Sequence, residues 1–188
     1  MNELDTWLER IGDWYKDRKH DQVGRLEPLI LTPPDALWGP VITDEQSKGI
    51  ACWLDGCLRI FTFYRHLADS SNPELASQEA SSSSHQDKAY QYLMFAYSKL
   101  QAVSCDPKSE PDLQEWCTQR LQHLCVLALE FTNQQQEPRW KAESEKLIES
   151  HVRFMATHPR NYDQGSIQSH LHCSSPSRSN IKSKSHQS

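Results

Sequence analysis

Apolar residues recur every three or four positions through most of this chain, and that spacing commits it to helices. In residues 3–19, Leu4, Trp7, Leu8, Ile11, Trp14 and Tyr15 fall on one face, with Glu9, Asp13, Lys16 and Asp17 opposite. Thr43 followed by Gln46 fits a capping box, in which each side chain satisfies a free backbone N–H of the first turn. The helix it opens reaches about Leu67, and Ile50, Trp53, Leu54, Cys57, Leu58, Phe61 and Tyr64 make it the central one. Gly49 and Gly56, seven residues apart, leave room for a neighbour to approach closely.

Tyr90, Leu93, Met94, Tyr97, Leu100 and Val103 stripe a third helix over about 85–104, with Ser84 and Asp87 as its cap. Pro111 suits the first turn of a fourth, where its missing N–H costs nothing. That helix runs to about Asn133 through Leu113, Trp116, Cys117, Leu121, Leu124, Cys125, Ala128 and Phe131. Pro138 opens a last helix ending near His158-Pro159.

Two stretches between these helices read differently. Residues 21–43 hold Pro28, Pro33, Pro34 and Pro40, too close together for a long helix, yet apolar enough to be an ordered connection. Residues 69–84, DSSNPELASQEASSSS, read as a mobile Ser-rich loop. Beyond residue 158 Ser dominates and apolar residues are scarce, so 159–188 is expected to be a disordered, basic tail. The expected fold is therefore all-α: a bundle of about five amphipathic helices over residues 1–158, followed by that tail.

Composition excludes several classes. The 188 residues are 37% hydrophobic, with no apolar run approaching the ~20 needed to span a bilayer. Six Trp, six Tyr and five Phe argue against global disorder. Net charge is −5, and because the tail from Arg160 carries +3, the rest carries −8. An acidic body does not attract nucleic acid or anionic membrane by its bulk field. The start MNELDTWLER has acidic residues where a secretory leader is basic, so a cytoplasmic location with free thiols is expected.

No catalytic motif emerges. Cys52 and Cys57 lie five apart on a helix, ~140° and ~7.5 Å from each other, so they do not share an ion or a disulfide. Asp55 in the central helix has Arg59 four residues on as its natural ion-pair partner. Cys105 falls at a helix C-terminus beside Asp106, both of which disfavour a thiolate. His170, His172 and Cys173 cluster in the tail without a fourth fixed ligand.

What stands out is the aromatic surplus. Most of it belongs in the core, but Trp7, Trp14, Tyr92 and Trp140 are the expected contacts with a partner, since Trp and Tyr are enriched at interfaces. The expectation is a cytoplasmic protein that works by binding another protein, as an adaptor, chaperone-like partner or regulator, with no cofactor. Its rival is a metal or thiol enzyme using Cys117, His123, Cys125 and His151 from adjacent helices. A nucleic-acid-associated regulator is a further alternative, against which the acidic body counts.

Overall fold

Asn2 starts the first helix: its side-chain oxygen accepts from the Asp5 N–H at 2.8 Å, while the Asp5 carboxylate accepts from the Asn2 N–H. The computed structural model describes residues 1–17, 22–70 and 76–158, with side chains from residue 82 in the last of these. The helices are α1 (Glu3–Lys16), α2 (Val23–Leu31), α3 (Asp44–Asp69), α4 (Ala76–Cys105), α5 (Pro111–Gln134) and α6 (Pro138–Thr157). A short 3-10 turn at Asp35–Trp38 lies between α2 and α3. Among the described residues there is no strand, and Met1–His158 form one compact unit.

The central helix is α3. Thr43 and Gln46 form the capping box, with the Gln46 N–H donating to Thr43 Oγ1 at 3.2 Å and the Thr43 N–H donating to Gln46 Oε1 at 3.0 Å. Ile50, Trp53, Cys57, Ile60, Phe61 and Tyr64 are buried along its length. On one side it meets α1, α2 and the 3-10 turn; on the other it meets α4. Both glycines act as the spacing implies. A Cβ at Gly49 would stand 2.5 Å from Leu8 Cδ2 and 3.2 Å from Leu37 Cδ1, and one at Gly56 would run into Ile30. The two glycines let α1, the 3-10 turn and α2 sit against α3.

Ring pairs fix the directions of the long helices. Trp53 meets Phe95, and Tyr64 meets Tyr92 and His85, so α3 and α4 are antiparallel. Phe61 meets Phe131, and Arg65 donates to Gln134, so α5 runs parallel to α3. Tyr90 against Trp140 and Tyr97 against His151 make α6 parallel to α4. Helices α3 to α6 thus alternate up and down, and α1 and α2 cover the outer side of α3.

The all-α bundle expected from the spacing is the fold, with two corrections. Residues 21–43 contain a sixth helix, α2, despite Pro28 within it. Val23, Leu26 and Ile30 bury one face of it, and that tertiary contact outweighs a proline in so short a segment. The stretch 69–84 is not a loop throughout: the backbone of α4 is helical from Ala76. Serine disfavours a helix by only about 0.5 kcal/mol relative to Ala. Anchors offset that here, since Ser82 Oγ donates to the Ala68 carbonyl and Arg139 reaches both Ser83 Oγ and Asp87. The tail at 159–188 lies outside the described residues.

Candidate partner-binding cleft

The four aromatic residues expected at an interface are all inside. Trp7 is 5%, Trp14 8%, Tyr92 9% and Trp140 2% exposed. The Trp7 indole donates to the Leu29 carbonyl at 2.9 Å, and that of Trp14 to the Gln22 carbonyl at 3.2 Å. Tyr92 stacks on Tyr64, and burial pushes its hydroxyl well above the ordinary tyrosine range. Trp140 sits edge-on to Tyr90 and Phe131, with the Arg139 guanidinium over its ring. The physical reason is that each is held by a neighbouring element: Trp7 and Trp14 by the two ends of α2, Tyr92 by α3, and Trp140 by α4 and α5.

The rival constellation does not assemble. Cys117 and Cys125 are buried, His123 is exposed, and His151 Nδ1 lies 2.7 Å from the Tyr97 hydroxyl. Burial pushes the Cys117 thiol up to about 12 and raises Cys125 as well. Among the described residues no three His, Cys, Asp or Glu side chains are grouped so as to hold a metal ion. Asp55 is a surface carboxylate: Arg59 Nε and the Tyr15 hydroxyl both donate to its Oδ2 at 2.6 Å. Burial first, and then the Asp55 carboxylate, keep Tyr15 protonated far above its usual range.

The side chains left facing outward converge elsewhere, where α3 and α5 begin. The Ile42 N–H donates to Glu110 Oε1 at 2.9 Å, tying the approach to α3 onto the start of α5. Between them lies a cleft of about 350 Å³, lined by Ile42, Asp44, Ser47, Glu110, Asp112 and Trp116, among others. Both helices carry acids in their first turns, as the positive end of the helix dipole favours. Buried Ile50 and Leu113 close its floor. Val41, 70% exposed, precedes Ile42 in the chain.

Trp116 decides the character of this cleft. Among the described residues it is the one tryptophan that is not buried, packing one side against the core. Arg120, one turn further along α5, already places its guanidinium 5.2 Å from the ring centre. An indole with carboxylates around it can take an aliphatic stem on its surface and a cationic head on its rim. The helical spacing of α5 had put Trp116 in the core stripe. The signal that marks the cleft is the doubled acids at two helix starts, Asp44 and Glu45 with Glu110 and Asp112.

No protein-family model, no curated protein and no solved structure matches this chain. Among the described residues no helix is long and apolar enough to cross a membrane.

Proposed function

We propose that this protein is an adaptor or regulatory module that binds another protein through the cleft between the starts of α3 and α5. The partner segment is basic and apolar, carrying Lys or Arg next to an aliphatic or aromatic side chain. The single observation that supports this is Trp116, half-buried among Asp44, Glu110 and Asp112. Tryptophan is among the residues on which binding energy most often concentrates once a partner covers it. The charge of the cleft agrees with the net acidity of residues 1–158 and would speed encounter with a basic partner. We place the protein in the cytoplasm, a reading in keeping with five described cysteines that are all free thiols.

The experiment is a quantitative capture comparison with the full chain, set against Trp116→Ala and Asp112→Lys. Both positions face the cleft, and thermal melts check that each variant stays folded. Proteins retained by the wild type and lost by both variants, in a salt-sensitive manner, support the reading. Identical recovery by all three removes it.

A further inference from the structure

At the C-terminal ends of α4 and α6 an exposed thiol meets an imidazole from a different helix. Cys105 Sγ lies 3.4 Å from His158 Nε2. The other ring nitrogen, Nδ1, lies 3.1 Å from the Phe154 carbonyl oxygen and 3.0 Å from Thr157 Oγ1. A carbonyl oxygen only accepts, so the proton of the neutral ring belongs on Nδ1, and the lone pair of Nε2 faces the thiol. The ring also stacks on Phe154, with centroids 4.4 Å apart and planes 23° from parallel. Nucleophile, base and a group that orients the base are therefore in line, the arrangement that activates a weak nucleophile.

The other described cysteines contrast with it. Cys57, Cys117 and Cys125 are buried and Cys52 is half-buried, and burial pushes all four thiols upward. Cys105 is exposed. A thiol attacks only as it gives up its proton. Attack at neutral pH then requires the proton to leave as the sulfur bonds, and His158 is placed to take it.

We propose that Cys105 is a site of thiol–disulfide exchange with small-molecule disulfides, with His158 as its general base. Cys105 Sγ attacks one sulfur of the small disulfide while its proton passes to His158 Nε2. The new S–S bond joins Cys105 to that sulfur, and the old S–S bond breaks. The departing thiolate takes the proton from His158 and leaves as a thiol. Cys105 is oxidised to a mixed disulfide, and the small disulfide is the oxidant.

The full-length protein is incubated with oxidised glutathione, quenched with acid and mapped by peptide mass spectrometry, so that each cysteine is read separately. At pH 7 Cys105 should be modified about tenfold or more faster than Cys52, Cys57, Cys117 and Cys125. It should also react faster than the same cysteine in the guanidinium-unfolded chain. His158→Gln should slow Cys105 by about tenfold, less than the roughly hundredfold or more of a general base in a full active site. That difference should close at alkaline pH, where the thiolate forms unaided, which loss of a merely structural contact would not produce. Cys105 reacting no faster than in the unfolded chain, or equally fast in His158→Gln, overturns the proposal.

Discussion

The Trp53 indole nitrogen donates to the carbonyl of Ile30 at 2.9 Å, in the buried interior between α3 and α2. Ile30 O is one of the last carbonyls of α2 and has no partner within its own helix. The Leu29 carbonyl is met in the same way by the Trp7 indole, and the Pro28 carbonyl by Thr32 Oγ1 at 2.7 Å. The end of the proline-containing helix is thus closed by side chains, two of them from other helices. This is the device that lets residues 23–31 be a helix at all.

Trp53→Phe keeps an aromatic ring but strands the Ile30 carbonyl in a dry interior. An unsatisfied buried acceptor costs about 1–3 kcal/mol, and the smaller ring adds a cavity term. Urea unfolding should show a loss of at least about 2 kcal/mol. A loss under about 0.5 kcal/mol would mean that the bond does not hold α2.

Two glycine-to-alanine changes should act in opposite directions. Gly12, inside α1, has nothing within 4 Å of a built Cβ. Gly12→Ala should stabilise by about 0.5–1 kcal/mol through helix propensity alone. At Gly56 the new methyl meets Ile30, which is 0% exposed. Overpacking there should outweigh the propensity gain and destabilise by about 1–3 kcal/mol. Paired thermal melts decide it, and a rise in both would contradict the close packing of α2 on α3.

His151 gives the fold a pH dependence. Burial lowers its pKa from the ordinary 6.5, so the folded protein holds the ring neutral while the unfolded chain binds a proton more readily. Stability tied to this residue is therefore complete above about 6.5 and falls as the pH drops through that value toward the lowered one. The Tyr97 hydroxyl, pushed up to about 12 by burial and the nearby Cys125, stays protonated 2.7 Å from His151 Nδ1. His151→Gln should flatten the loss of stability between pH 7 and 5, measured by urea unfolding at each pH. An unchanged slope would show that other groups carry it.

Arg139 bridges Asp87 and Ser83 in the first half of α4, with both charged partners half-exposed. Exposed ion pairs contribute about 0–1 kcal/mol. Arg139→Ala should therefore leave global stability nearly unchanged while speeding amide exchange around residues 82–87. Uniform acceleration across all helices would contradict a local role.

Where the sequence was legible, local chemistry and tertiary packing agreed. The capping box at Thr43 and Gln46, the prolines opening α5 and α6, and the pairing of Asp55 with Arg59 all follow from spacing alone. Gly49 and Gly56 announced close contacts for the same reason. What escaped depended on distant partners. Nothing local to Pro28 reveals that Trp7 and Trp53 will close α2, and nothing in a serine run reveals Arg139 reaching back to it. Trp7, Trp14, Tyr92 and Trp140 are buried by partners on other helices, which the spacing within one helix does not show. Trp116 looked buried because its stripe ends where α5 emerges beside the start of α3. The thiol–imidazole pair joins residues 105 and 158, which only the parallel course of α4 and α6 brings together.

Site-specific photo-crosslinking tests the binding cleft most directly. A photoreactive amino acid replaces Ser47, exposed on the cleft wall, or Glu145, exposed on α6, in the full chain. Irradiation in cell extract should link a defined partner to position 47 but not to 145. The linked peptide should be basic, and the crosslink should disappear when Trp116 is replaced by Ala. Partner crosslinks from position 145 with none from 47, or crosslinks from 47 that persist without Trp116, would contradict binding at the cleft.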